Sequence, residues 1–269
     1  MTYLTKVGRF DVQKSINPRH RWRASDVVLD GSSNVSQFND SGRVGGMPFT
    51  QASASLRCPL ATDGNGNVYA QPNGTSHTYQ AGVAANWKFL TDGSKWTWAA
   101  IYHMPSAPSA SQYLAICGTG GGAVTQAWFV INRVSSTVWG PWLLINSSGG
   151  GNVISIEDQR PNTSISCVVG VHRGYILAQN TFVKPYGHQL ALRNNGDTTS
   201  QYLFRQADSL LNNYSSGDPG FPLTLFSTAT PGSYFGGRLY EMWIDDKCVS
   251  DELLGEHDLY ARSVLKAAA

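Results

Sequence analysis

Cleaving a glycosidic bond takes two carboxyl groups held on one face, and the 18 acidic residues of this chain contain no run of alternating carboxylates. Glu157 and Asp158 are adjacent, so on a strand they would face opposite sides. Glu241 and Asp245 have the spacing to share a face, but Asp245 falls in a turn and no third acid follows on that face. Asp63-Gly64-Asn65-Gly66-Asn67 begins like a calcium loop. Val68 then stands where that loop needs glycine, and Gly74 where it needs a bidentate glutamate, so a hairpin or loop turn is expected. Gly118 to Gly122 lacks the Gly-Lys-Ser/Thr of a phosphate-binding loop, and no Gly-x-Ser-x-Gly nucleophile turn is present. His20-Arg21-Trp22-Arg23 is basic around an aromatic. Without neighbouring basic runs it reads as a solvated edge, or as Arg over an indole face, rather than a nucleic-acid site. Among the eight tryptophans, Trp87, Trp139 and Trp142 lie near loops or turns and are the candidate carbohydrate contacts, while most of the others fit buried alternation. The four cysteines, Cys58, Cys117, Cys167 and Cys248, show no C-x-x-C spacing, which argues against structural zinc and a redox motif. Cys117 and Cys167 sit in apolar strand patterns as free buried thiols.

Short strands must position whatever these residues do. Charged residues are only 14%, aromatics 11%, and 28 glycines punctuate the chain, which suits a many-turned sandwich better than a helical bundle. Trp96 to Tyr102 alternates large aromatics on one face, as a half-buried strand should. Further strands are expected at Tyr113 to Cys117, Gln126 to Ile131, Val138 to Ile145 and Val153 to Ile156. The β-branched run Ser164 to Val171 reads as a central strand; Tyr175 to Leu177, Gln189 to Leu192 and Pro222 to Phe226 follow it. One helix is expected, from Asp251 to about Leu265, with Ser250 as N-cap and with Leu253, Leu254, His257, Tyr260, Ala261, Val264 and Leu265 as its apolar stripe. The net charge of +2 gives no electrostatic case for nucleic acid or membrane as the main partner. Residues 1–10 lack an apolar leader and no window is apolar enough for a transmembrane helix, so synthesis and folding in a reducing cytoplasm are expected. No second composition regime appears after residue 20, which leaves an N-terminal arm over 1–20 and one domain over 21–269.

Two ends of the sequence carry a resemblance. At the front stand Trp22-Arg23-Ala24-Ser25-Asp26, then Phe38-Asn39-Asp40-Ser41-Gly42, then Thr50-Gln51 and Arg57-Cys58-Pro59. At the back, Phe235-Gly236-Gly237-Arg238 leads a strand into the acidic turn Asp245-Asp246 and the helix that follows. Together these resemble laminin G-like domains of the concanavalin A-like lectin and glucanase superfamily, of the kind found in bacteriophage structural proteins, over roughly residues 20–266. Phe38 replaces the usual tryptophan, and the expected Phe-Asp-Gly is degraded to Tyr69-Ala70-Gln71-Pro72-Asn73-Gly74. Trp22 and Phe38 are suited to plug the sandwich, and Asp40-Ser41-Gly42 suits a turn.

The resemblance implies an all-β jelly-roll sandwich of two antiparallel sheets with one short C-terminal helix. Hydrolases on this fold carry an E-x-D-x-x-E strand, which this chain lacks, so a non-enzymatic protein is expected. The function implied first is a virion structural protein, as a capsid decoration, head fibre or tail-associated subunit, located on the virion. It would act through contacts with other virion subunits or with copies of itself. Tyr3, Leu4, Val7, Phe10 and Val12 of the arm are the candidate assembly residues. The alternative is a lectin-like module that binds a host polysaccharide, including as a receptor-binding protein. No cofactor is expected; relatives that hold calcium at the sandwich rim make Asp245, Asp246 and Asp197 the residues to test.

Overall fold

The computed structural model describes residues 17–92, 94, 96–104, 113–120, 125–133, 138–146, 153–157, 160–161, 165–174, 189–191, 202–203, 217–228, 233–247, 260 and 264, with backbone alone over 113–115 and 131–203. The strands, in chain order, are β1 (His20–Leu29), β2 (Val35–Asp40), β3 (Phe49–Thr50), β4 (Leu60–Thr62), β5 (Val68–Ala70), β6 (Tyr79–Ala81), β7 (Trp96–Met104), β8 (Tyr113–Gly118) and β9 (Gln126–Arg133). They continue with β10 (Val138–Asn146), β11 (Val153–Glu157), β12 (Arg160–Pro161), β13 (Ile165–Gly174), β14 (Gln189–Ala191), β15 (Tyr202–Leu203), β16 (Leu223–Leu225) and β17 (Arg238–Asp245). Every pairing is antiparallel, so the chain is all-β as expected. Tyr260 and Val264 are helical, one turn apart within the expected C-terminal helix; the rest of that segment, His257 included, lies outside the described residues.

Hydrogen bonds run in one path from β15 through β14, β13, β7 and β17 to β1, and on through β2, β3, β6, β16, β8 and β9 to β10. β1 is where the path turns. Its first residues pair with β17, as His20 with Ile244 and Trp22 with Met242, while β2 lies along its other edge, opposite Trp22 and again opposite Val27 to Leu29. The β1–β2 register slips between Trp22 and Val27, beyond the last residue paired with β17. A strand bent by such an irregularity makes the corner of a sandwich. The sheet thus folds over itself: Phe129 of β9 lies 5.9 Å from Trp98 and 6.3 Å from Tyr102, both on β7, with no hydrogen bond joining those strands.

The alternation in β7 explains the core. Trp96, Trp98, Ala100, Tyr102 and Met104 all enter the buried cluster, alongside Trp22, Phe38, Phe49, Tyr79, Phe226 and Phe235 from the other strands. Trp22 and Phe38 do plug the sandwich, as the sequence implied, and Cys58 and Cys117 are free, buried thiols. Asp40-Ser41-Gly42 is the expected turn, with the Gly42 amide donating to Asp40 Oδ1 at 3.0 Å. A side chain at Gly42 would meet the Arg19 carbonyl at 2.4 Å, so this turn closes on β1 only with glycine.

The outer face of the first layer is also covered. Ala99, Ile101, Glu241 and Trp243 are all buried, and the Tyr260 ring packs edge-on against Trp243 at 6.3 Å. This corrects the expectation that His20 to Arg23 form a solvated edge. His20, Arg21 and Trp22 are buried in an inner stretch of β1, and Arg21 lies over the Tyr260 ring rather than an indole. No described helix is long and apolar enough to cross a membrane.

Candidate functional site

One irregularity in β17 organises the outer face. Arg238 pairs with His103 and Leu239 with Tyr102, but the next partner of β7, Ile101, pairs with Glu241, so Tyr240 is an extra residue. A bulge of this kind re-aims side chains. Leu239, Met242 and Ile244 stay in the core, while Tyr240 and Glu241 turn to groups outside it. Upstream of the bulge lie Arg238 and Tyr240; downstream lie Glu241, Trp243 and the helical cover.

The upstream half gathers five side chains from distant parts of the sequence. Asp63 tops the hairpin joining β4 and β5, the turn expected there in place of a calcium loop. Its Oδ1 accepts the Asn65 and Asn67 amides at 2.9 Å each, and its Oδ2 accepts the Tyr240 hydroxyl at 3.1 Å. Tyr69 on β5 lies 5.6 Å from Tyr240, ring to ring, and the Arg238 guanidinium sits 4.8 Å above the Tyr69 ring. The Arg238 guanidinium also lies close enough to the Tyr240 hydroxyl to act on it electrostatically. His103 stands beside Arg238 in the β7–β17 register, half-buried like Arg238 and Asp63.

The electrostatics follow from burial and from these neighbours. Burial and then the Asp63 charge push the Tyr240 phenol up to about 12, so it stays a hydrogen donor at any physiological pH. Burial also works to raise Asp63, but the donors of Asn67, Asn65 and Tyr240 outweigh it and keep the carboxyl below its ordinary value. For His103, burial first and the Arg238 charge second lower the imidazole, against a weaker pull from Asp63. The cluster therefore combines the Arg238 guanidinium, an Asp63 carboxylate engaged by its own turn and by Tyr240, a neutral imidazole at neutral pH and two phenols on a strand floor. Such a surface can recognise a polar ligand without having to reorganise.

The downstream half is structural in character. Arg21 Nε donates to Glu241 Oε1 at 2.5 Å, and the Tyr260 hydroxyl bridges the pair, receiving from Arg21 at 2.5 Å and donating to Glu241 at 2.6 Å. At the end of β17, Arg43 bonds both Asp245 and Asp246, and Arg19 holds Asp246 at 3.0 Å. These arginines occupy the two carboxylates proposed as a calcium rim; Asp197 lies outside the described residues. Among the described residues no group of three His, Cys, Asp or Glu side chains is gathered for a metal.

Of the candidate sugar-stacking tryptophans, Trp87 needs correction. It lies in a short 3₁₀ segment, Ala84–Leu90, is 0% exposed, and its indole N–H donates to the Ala81 carbonyl at 2.8 Å. Packed 5.2 Å from His20 and 6.2 Å from Trp22, it is a core residue and offers no ring face to a ligand. Trp139 and Trp142 lie on β10, opposite Arg133 and Val130 of β9, where only backbone is described. The arm residues Tyr3, Leu4, Val7, Phe10 and Val12 lie outside the described residues, as does Cys248, and the side chain of Cys167 does too. The site of Asp63, Tyr69, His103, Arg238 and Tyr240 was not expected from the sequence. Only the Asp63 turn and the closing strand were legible there, with nothing to join them.

No family model matches the chain, and no curated protein matches it. Among solved structures, Trypanosoma rangeli sialidase aligns with 94% of this chain and 34% of its own at 11% identity, with a TM-score of 0.50. The same enzyme in complex with the inhibitor DANA aligns with 88% of this chain and 32% of its own, again at 11% identity and a TM-score of 0.50. The Ruminococcus gnavus IT-sialidase CBM40 bound to alpha2,3 sialyllactose is a looser likeness, with 69% of this chain and 94% of its own aligned at 16% identity and a TM-score of 0.43. The chain spans about a third of the length of the sialidase chains it matches. At such identities the sialidase likeness concerns the fold alone, and it accords with the all-β sandwich. It lends nothing to the virion attribution.

Proposed function

We propose that the chain is a lectin-like carbohydrate-binding module that acts without hydrolysis. The observation that carries this reading is the upstream cluster, where Arg238 lies over the Tyr69 ring and the neighbouring Tyr240 bonds Asp63, all on a fixed strand floor. Saccharides present dense hydroxyls on a semi-rigid ring, and a site of pre-set planar donors and acceptors binds them without much loss of side-chain entropy. The described carboxylates support a non-catalytic role. Glu241 is locked by Arg21 and Tyr260, Asp245 and Asp246 by arginines, Asp30 by Arg57 at 3.0 Å, and Asp40 by His20 at 2.7 Å. None of these pairs is open to flank a scissile bond. On a virion, the carrier implied by the sequence resemblance, such a module would attach the particle to a host polysaccharide.

A glycan array probed with the full chain, followed by calorimetry on the best binders, tests this. Binding to a defined glycan is expected, weakened severalfold in Tyr240→Phe, which deletes the hydroxyl bonded to Asp63 beside Arg238 while keeping the ring. Failure to bind any glycan, with a folded protein, would overturn the reading.

A further inference from the structure

Arg238 differs from the other arginines whose side chains are described. Arg19 pairs with Asp246, Arg21 with Glu241, Arg23 with Asp26, Arg43 with Asp245 and Asp246, and Arg57 with Asp30. Among the described residues Arg238 holds no carboxylate; it stacks on the Tyr69 face, with the Tyr240 hydroxyl close by. Asp63 is close by but has its acceptors in use. Oδ1 takes the two turn amides, and Oδ2 takes Asn67 Nδ2 at 3.1 Å and the Tyr240 hydroxyl. A half-buried guanidinium, stacked on an aromatic ring and left without its own counter-ion, is a cation oriented for an anion that is not part of the fold.

Resting on the carbohydrate-binding reading above, we infer that the ligand is an acidic saccharide whose carboxylate is held by Arg238, with the His103 imidazole opposite it in the strand register as a second donor. The planar fork of Arg238 carries N–H groups that no described carboxylate takes, enough to meet both oxygens of one ligand carboxylate. Stacking on Tyr69 fixes the plane of that fork before the ligand arrives, so little order is lost on binding. Tyr240, close to the same guanidinium, bonds the Asp63 hairpin, whose exposed Asn65 and flanking glycines border the site. The remainder of a sugar ring would lie over that hairpin.

The test changes the ligand as well as the protein. Calorimetry with trigalacturonate and with sialyllactose, each beside its carboxyl-reduced counterpart, measures the carboxylate directly on the unaltered chain. The expected result is a loss of about tenfold or more on carboxyl reduction, as removal of a charge-assisted bond predicts. Arg238→Gln is expected to lose a similar factor for the acid and little for the reduced sugar, with Arg238→Lys in between because it keeps charge without the fork. Unchanged melting temperatures would show that these variants fold. Equal binding of acid and reduced forms would overturn the inference and leave carbohydrate binding standing. A carboxylate preference indifferent to Arg238→Gln would overturn the assignment to this residue. No binding of any glycan, acidic or neutral, would remove the inference together with the reading beneath it.

Discussion

Asp40 shows how much one buried carboxylate can organise. Its Oδ1 accepts the Arg21 and Gly42 amides at 3.0 Å each, and its Oδ2 accepts the Met47 amide at 3.1 Å and the His20 imidazole at 2.7 Å. An ionised carboxylate has no proton to give, so His20 Nδ1 must carry the hydrogen of that bond. Burial opposes ionisation, yet His20 and the backbone donors prevail, and the Asp40 carboxyl titrates below its ordinary value of 3.8. A carboxylate depressed in the folded state stabilises the fold in full above its unfolded value. That contribution is lost as pH falls through the folded one. Asp40→Asn, which turns an acceptor into a donor facing the Met47 amide or His20, should cost about 1–3 kcal/mol at pH 7. Urea unfolding at pH 7 and again well below 3.8 should show that gap shrinking as the parent protein loses the ionised form. A gap independent of pH would mean that Asp40 contributes through shape alone.

At the scale of elements, the outer face of β7 and β17 depends on one latch. Arg21 and Glu241 are both nearly inaccessible, and Tyr260 from the helical segment closes over them through two hydrogen bonds and an edge contact with Trp243. Breaking a buried pair strands one charge. Glu241→Ala should therefore destabilise by about 3–5 kcal/mol in thermal or urea unfolding, whereas Arg21→Met with Glu241→Leu should recover most of the loss. A double variant as unstable as the single one would show that packing, rather than the stranded charge, dominates. The same latch explains what was and was not legible in the sequence. Long strands such as β7, β9 and β10 were readable within a residue or two because alternation persists over eight or nine positions. β3 to β6, two or three residues each, are too short to show a period. His20 to Arg23 looked like a solvated edge because its charges gave no hint of a second layer with a tyrosine to receive them. The bulge at Tyr240 was hidden too, since Tyr240 and Trp243 are as apolar as the core residues beside them, and the change of phase does not show. With the bulge hidden, nothing could bring Asp63, Tyr69, His103 and Arg238 together.

For the molecule as a whole, the described strand ladders join the two layers through β1, with single backbone bonds such as Val35 N–H to the Cys58 carbonyl and Phe235 N–H to the Phe226 carbonyl beside it, so side-chain packing across the interior does most to hold them face to face. Following the ladder from β7 to β9 means passing β17, β1, β2, β3, β6, β16 and β8, yet Trp98 and Phe129 are in contact at 5.9 Å. The site benefits from this arrangement. Arg238 and His103 lie on the outer face of strands whose inner face carries Tyr102, itself 6.3 Å from Phe129 and 6.3 Å from Phe235. A double-mutant cycle with Trp98→Leu and Phe129→Leu isolates the cross-layer term. A tilted aromatic pair of this kind should give a coupling energy of about 0.5–1.5 kcal/mol beyond additivity. Near- and far-ultraviolet circular dichroism should trace one unfolding transition in the parent and in each variant, because neither layer can bury its apolar face without the other. Additive effects with two separated transitions would mean that the layers fold independently, and that the strand floor beneath Arg238 owes nothing to the opposite sheet.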